Sequence, residues 1–258
     1  TYEKKKFAHR NGGLFYGLMY AISVFIRRED SMNDDNIIPF KVKPPKTVQK
    51  PIRKHPPIIN LPPVTKILLC ILLGVHVLIW GVSSTIFPSL QGISVLYGGF
   101  TPSHFTTAFS FQWWMPFSFI TYAFLHGGWL HVIVNAVMLA ASGSGIERMW
   151  GAKKLLIIFF GSSVLAALTH FAFYPSSDMP IIGASGGISG LFGALIYLMQ
   201  QMRQGQSLWR IALIWIGVSV ISGMMGAPNG MPVAWLAHVG GFLAGIGIAM
   251  QLQKKSSS

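Results

Sequence analysis

The chain is poor in charged residues and in cysteine. Only 10% of its 258 residues are Asp, Glu, Lys or Arg, and 52% are hydrophobic, whereas a soluble domain carries about 25% charged residues. Its mean hydropathy is +0.51. The single cysteine, Cys70, excludes a disulfide framework and a zinc site built from thiolates. This composition predicts a membrane protein.

Carboxylates are rarer still beyond residue 35, where only Glu147 and Asp178 occur, both at the ends of apolar stretches. Their scarcity excludes a hydrolase with paired aspartates inside the membrane. It also disfavours a proton-coupled transporter, which usually carries Asp or Glu within a span. The His-Glu-x-x-His motif of zinc peptidases does not occur in the sequence. We therefore expect neither a metal nor a cofactor, and the polar residues left in the spans are Ser, His, Asn and Gly.

Basic residues are more numerous, and they are unevenly placed. The formal net charge is +13, and 13 of the 20 Lys and Arg lie within the first 66 residues. This charge belongs to a tail, so we expect no nucleic-acid partner. We predict a basic, Pro-rich cytoplasmic tail over residues 1–63, a membrane domain over 64–253 and a short cytoplasmic tail over 254–258. Residues 1–31 are either an interfacial segment or an upstream extension before Met32.

Six apolar stretches are long enough, at about 20 residues, to cross the ~30 Å hydrocarbon core of a bilayer. Backbone groups in lipid must be satisfied internally, so these stretches are helices and the fold class is an all-α membrane bundle. Lys and Arg occupy alternate connections, which places both termini in the cytoplasm. The fourth stretch is short and glycine-rich, with the weakest hydropathy. The predicted spans are 67–87, 129–146, 155–173, 183–199, 208–225 and 233–252.

The fourth span opens with Gly183-Ala184-Ser185-Gly186. The Gly-x-Ser-x-Gly pattern also occurs at the nucleophile elbow of soluble hydrolases, but that turn follows a strand, and this segment is a membrane helix. Gly186 and Gly190 are four residues apart and predict close helix packing. Close helix packing explains the glycines but does not require the serine. A glycine face that packs closely on another helix can also bring a nucleophile into contact with a base on that helix.

The sixth span carries His238 on a glycine face. At 100° per residue, Gly241 lies 60° and Gly245 about 20° from the histidine, so another helix can approach it. A lone histidine in a membrane span most often forms a structural hydrogen bond to a neighbouring helix. The serine on a second glycine-lined helix makes this interpretation weaker for His238.

The second span carries His131 and Asn135 on one face, about 40° apart. His126 precedes His131 by five residues and points about 140° away if the helix extends that far. His76 and His170 lie in other spans without such neighbours, and we interpret both as structural.

Ser185, His238, His131 and Asn135 all lie roughly 5–10 Å below the outer boundary of their spans, at 1.5 Å per residue. A serine hydroxyl needs an adjacent base, and His238 is the candidate at that depth on a glycine face. His131, Asn135 and the Ser185 backbone N–H are candidate donors to an oxyanion. Without an aspartate to orient the histidine, the arrangement is a dyad rather than a triad.

Together these motifs resemble the rhomboid family of intramembrane serine proteases over about residues 67–250. The Gly-Ala-Ser-Gly sequence is similar to the family's nucleophile motif. Further matches are His238 with Gly241 and Gly245, the second-helix residues His126, His131 and Asn135, and the pair Glu147-Arg148. One departure is that Trp113-Trp114-Met115-Pro116 stands where many members have Trp-Arg, which affects the stability of the first outer loop more than the chemistry.

The resemblance implies a six-helix bundle in which a Ser185–His238 dyad cleaves transmembrane segments of single-span proteins near the outer membrane face. It also implies an oxyanion site from His131, Asn135 and the Ser185 amide, and substrate entry beside the fifth helix under the last outer loop, 226–232. The expected partners are these substrates and the lipid bilayer, and the expected location is the bacterial inner membrane. The sequence does not indicate an oligomeric state.

An alternative from another class is a catalytically silent relative that binds and sorts transmembrane clients. Such relatives usually lack the serine or the histidine, and this chain keeps both, which favours the enzyme.

Overall fold

A computed structural model describes residues 60–106, 111–202, 208–225 and 234–257 of the chain. Within these ranges the secondary structure is helical, and the one extended pairing is an isolated antiparallel bridge between Phe100 and Ile181. For the described residues, the prediction of an all-α fold is therefore confirmed. Most of the predicted basic tail (1–59) and the last outer loop (226–232) lie outside the described residues.

The α-helices are numbered here in chain order through the described residues. They are α1 Pro63–Thr85, α2 Leu90–Gly98, α3 Ser118–Thr121, α4 Trp129–Trp150, α5 Ala152–Phe173, α6 Ser185–Met202, α7 Trp209–Met225 and α8 Trp235–Ser257. Three short 3₁₀ turns, Pro102–Phe105, Met115–Phe117 and Tyr122–Phe124, lie between α2 and α4.

Six of these helices have 17 or more residues, and they lie at the six predicted spans. Four of them, α1, α4, α5 and α8, are long and apolar enough to cross a membrane. The helix α7 has 17 residues. The helix α6 has 18, of which 11 are buried, because α5 and α8 pack against it. A helix enclosed by its neighbours faces little lipid, which explains the weak hydropathy of the fourth predicted span.

Two helices end four or five residues beyond the ends of their predicted apolar stretches. The helix α4 ends at Trp150 rather than at 146, and Gly151, with φ +83° and ψ 168°, follows it in a backbone conformation that favours glycine. The helix α8 continues to Ser257 rather than to 252, with Lys254 and Lys255 in its last turn. Cations there interact favourably with the negative end of the helix dipole.

The connection between α2 and α4 is fixed to the segment that leads into α6. The Phe100 N–H donates to the Ile181 carbonyl at 3.0 Å, and the Ile181 N–H donates back to Phe100 at 2.8 Å. Phe100 and Tyr122 are fully buried and pack with Ala167 of α5. The connection between α2 and α4 therefore helps to position the start of α6.

Glu147, near the end of α4, caps the start of α1. One carboxylate oxygen accepts the Val64 N–H at 2.9 Å, and the other accepts the Thr65 N–H and the Thr65 hydroxyl, each at 2.7 Å. The first N–H groups of a helix lack intrahelical acceptors, and a negative charge beside them is favourable. From the sequence, Glu147 is identified only as half of an acid–arginine pair, because a contact across more than 80 residues has no local signal.

Replacing this carboxylate is expected to destabilise the fold. Glu147→Gln turns one acceptor oxygen into a donor, which then opposes a helix N–H and leaves it unpaired. We expect the free energy of unfolding to fall by about 3 kcal/mol, the scale of a lost charged hydrogen bond. Asp178→Asn is the matched control, because Asp178 is exposed. Equal unfolding midpoints for the two variants in detergent would contradict the capping role.

Candidate active site

Ser185 is the first residue of α6 and follows a tight turn. Gly183 in that turn has φ +119°, a conformation that favours glycine. Its N–H donates to the Tyr122 carbonyl at 2.9 Å, which fixes the turn to the connection between α2 and α4. Because the N–H groups of the first helical turn have no intrahelical acceptor, the start of α6 favours a negative charge beside Ser185.

The side chains of Ser185 and His238 are in hydrogen-bond contact. The serine Oγ lies 2.8 Å from the histidine Nε2, and both side chains are half-buried. His238 lies in the first turn of α8, which begins at Trp235. A neutral imidazole that accepts at Nε2 can take the hydroxyl proton as the serine attacks, because proton transfer needs a separation of about 2.6–3.2 Å. The structure thus brings the two residues of the predicted dyad together.

The four predicted packing glycines lie at the interface of α6 with α8. A β-carbon at Gly241 would overlap the main-chain carbonyl oxygen of Gly186, and one at Gly245 would overlap that of Gly190. Both contacts would be with backbone, so no side chain can move aside. The facing pairs are one helical turn apart, and they hold the two helices together along the turns that follow Ser185.

His131 approaches Ser185 across Gly183. The position that a β-carbon would take at Gly183 lies 2.7 Å from the His131 Nε2 and 3.8 Å from the Ser185 Oγ. The imidazole and the hydroxyl therefore border one small space that the glycine leaves open. A neutral imidazole with its proton on Nε2 can donate a hydrogen bond to an atom in that space.

Asn135 is buried one turn after His131 on α4. Its Nδ2 donates to the main-chain carbonyl of His131 at 2.9 Å. A primary amide has two N–H donors, so one N–H remains for another acceptor. The structure places Asn135 beside His131, with the bonded N–H directed along its own helix.

The sequence over residues 110–255, more than half of the chain, matches the Rhomboid domain family. The chain belongs to the rhomboid family. The match includes α4 to α8, and therefore both Ser185 and His238. Rhomboid proteases are intramembrane serine proteases, and the apolar helices fit this setting. The chain is thus an integral, multi-pass membrane protein of a protease family.

Several rhomboid relatives are named as proteases. The chain is 33% identical over 93 residues to rhomboid protease GluP of Bacillus subtilis (strain 168), covering 36% of this chain and 17% of that protein. It is 26% identical over 134 residues to putative rhomboid protease YdcA of the same organism, covering 51% and 65%. For rhomboid protease AarA of Providencia stuartii the identity is 30% over 161 residues, covering 52% and 54%. The matched segments span less than two thirds of each of these relatives.

Within the rhomboid domain, His126 joins His131, and the prediction that it points elsewhere is wrong. The two ring centroids are 4.9 Å apart. Because α4 begins only at Trp129, the helical angle does not apply to His126. Burial and the neighbouring His131 and His76 lower the pKa of His126 to about 3. The ring is therefore neutral, and its Nε2 lies 3.5 Å from the Ala184 N–H as an acceptor.

His76 of α1 also departs from the prediction that it stands alone. Its ring centroid lies 6.3 Å from that of His126 and 4.8 Å from that of Trp129. His170 of α5 contacts the ring of Tyr174, with centroids 5.1 Å apart. The sequence shows that His76 lies in a span, but only the packing of α1 on α4 shows which residues it meets.

Proposed function

We propose that this rhomboid protein is an active intramembrane serine endopeptidase. The distance of 2.8 Å between Ser185 Oγ and His238 Nε2 carries the proposal. The serine oxygen attacks the carbonyl carbon of a substrate peptide bond while Nε2 accepts the hydroxyl proton. The C–N bond then breaks, the proton passes to the leaving amine, and the acyl group stays on the serine. Water, giving a proton to His238, releases the second product and restores the serine.

Three donors are proposed to stabilise the oxyanion of the tetrahedral intermediate. They are the His131 ring N–H, the free Asn135 amide N–H and the backbone N–H of Ser185, each contributing roughly 3–4 kcal/mol at most. The proposal is supported by the space at Gly183 that His131 Nε2 and Ser185 Oγ both border. The start of α6 adds the positive end of its dipole.

We propose single-span membrane proteins as the substrates and the outer face of the membrane as the level of cleavage. Ser185 and His238 both lie in the first turn of their helices, and at 1.5 Å per residue they lie about 5 Å or less from the helix ends. A single-span segment would have to unwind to present its peptide bond there. Small residues and helix breakers near the outer end of the span therefore favour cleavage.

We propose that the chain crosses a bacterial inner membrane six times, with both termini in the cytoplasm. The membrane domain would cover residues 64–253, between the tails 1–63 and 254–258. Support comes from the basic residues, which all occur in alternate connections and tails. A fluorescent protein fused after Ser258, which folds only in the cytoplasm, should be fluorescent. An active periplasmic phosphatase at the same fusion point would contradict this topology.

The function is tested by reconstituting the full chain in liposomes with a tagged single-span protein. One substrate carries Ala-Gly-Pro near the outer end of its span, and its control carries Leu at those three positions. We expect cleavage of the first at a small residue and no cleavage of the second. If the folded chain binds the tagged protein but cleaves neither version, it is a client-binding relative and the proposal is wrong.

Asn135→Ala is expected to lower the cleavage rate without abolishing it. One of three oxyanion donors is lost, so we expect kcat to fall about 100-fold with KM little changed. Ser142→Ala is the matched control, because the Ser142 hydroxyl donates to the carbonyl of Met138, four residues back on the same helix. Equal kcat values for the two variants would show that Asn135 does not donate to the oxyanion.

A further inference from the structure

Tyr122 connects the turn before Ser185 to α5. Its main-chain carbonyl accepts the Gly183 N–H at 2.9 Å, and its hydroxyl donates to the main-chain carbonyl of Ser163 at 2.8 Å. The side chain is almost completely buried, with 1% of its surface exposed. A single residue of the connection between α2 and α4 is therefore hydrogen-bonded both to the turn before Ser185 and to α5.

The hydroxyl of Tyr122 also lies against the junction of α6 with α8. The position of a β-carbon at Gly186 is 2.9 Å from the tyrosine Oη and 3.9 Å from the carbonyl oxygen of Ala237. Gly186 directly follows Ser185, and Ala237 directly precedes His238. The phenol oxygen thus lies against the space that a side chain at Gly186 would fill, beside the residue that follows the nucleophile and near the residue that precedes the base.

We propose that Tyr122 is a positioning residue for the dyad. The hydroxyl, held by Ser163, fixes the tyrosine backbone, and that backbone holds Gly183 so that Ser185 stays within reach of His238. Small displacements of a nucleophile reduce the rate of the chemical step more than substrate affinity. This inference rests on the proposed function, and it assigns Tyr122 no contact with substrate.

Tyr122→Phe tests the inference, with Tyr197→Phe as its matched control. The Tyr197 hydroxyl donates to Gln253 Oε1 at 2.7 Å, so the control also removes a tyrosine hydrogen bond, between α6 and α8 and far along α6 from Ser185. We expect Tyr122→Phe to lower kcat about tenfold, with KM within twofold of wild type. We expect the control to keep the wild-type kcat and the two variants to have similar thermal midpoints.

A wild-type kcat for Tyr122→Phe would overturn the inference, and so would equal losses of kcat and thermal midpoint in both variants. An inactive wild type would instead contradict the proposed function, which keeps the two failures distinct.

A second pair of variants keeps the test decisive if Tyr122→Phe does not fold. Incorporation of 4-aminophenylalanine at 122 retains a donor toward the Ser163 carbonyl, whereas 4-methylphenylalanine fills the same space without one. We expect the amino variant to keep most of the wild-type kcat and the methyl variant to lose it. Equal rates for the two would show that shape alone matters and would contradict the positioning role of the hydroxyl.

Discussion

Ser185→Ala is expected to reduce substrate cleavage on the order of 10⁶-fold, to background, while the protein stays folded. The variant lacks the oxygen that lies 2.8 Å from His238 Nε2, so no acyl-enzyme can form. Only a hydroxyl is removed at the first residue of α6, and the packing of the following glycines on α8 is unchanged. Product formation in liposomes measures the loss, and the thermal midpoint measures the fold.

Ser189→Ala is the matched control for this loss. Ser189 is one helical turn further along α6 and is fully buried. Among the described residues its hydroxyl has no hydrogen-bond partner. We expect this variant to cleave at the wild-type rate. Cleavage by Ser185→Ala above background, or an equal loss in both variants, would contradict the role of Ser185 as the nucleophile.

Gly245→Ala is expected to lower kcat about 100-fold and to destabilise the fold by about 1–3 kcal/mol. The added methyl would overlap the carbonyl of Gly190, so α6 and α8 must move apart, and overpacked interfaces cost about this much. A displacement of about 1 Å takes Ser185 Oγ and His238 Nε2 beyond hydrogen-bond distance, and shifts of that size reduce catalysis about 100-fold. Cleavage rate and thermal midpoint are both measured.

Gly247→Ala is its matched control, two residues further along α8. In the part of the chain that the structure describes, nothing lies within 4 Å of the β-carbon that this change would add. The control should keep the wild-type rate and gain slightly in stability, because alanine has the higher helix propensity. A wild-type rate for Gly245→Ala would show that the close approach of the two helices does not determine the position of the dyad.

The helical fold was largely predictable because its signals are local. Apolar stretches locate the six long helices, and the glycines of 183–199 mark the helix that is buried among the others. The apolar stretches do not show where α4 and α8 end, because α4 stops at Gly151 and α8 continues through polar residues up to Ser257. They also do not show that Glu147 caps α1, because that contact joins residues far apart in the chain.

The candidate site could be predicted where helical geometry applies and not elsewhere. The distance of each residue from the start of its predicted span indicates that Ser185 and His238 lie at the same depth in the bundle. The structure places their reactive atoms in hydrogen-bond contact. The angle assigned to His126 fails because α4 begins three residues later. The links made by Tyr122 could not be predicted, since they depend on how an irregular connection packs against α5 and the turn at Gly183.

Mapping the adduct of a fluorophosphonate probe on the purified protein tests the central claim most directly. The probe reacts with a serine only when a neighbouring base activates it. Mass spectrometry of the wild type should find the adduct on the peptide that contains Ser185, and Ser185→Ala and His238→Ala should carry none. An adduct on another serine, or none on a wild-type protein shown to be folded, would contradict an activated Ser185–His238 dyad.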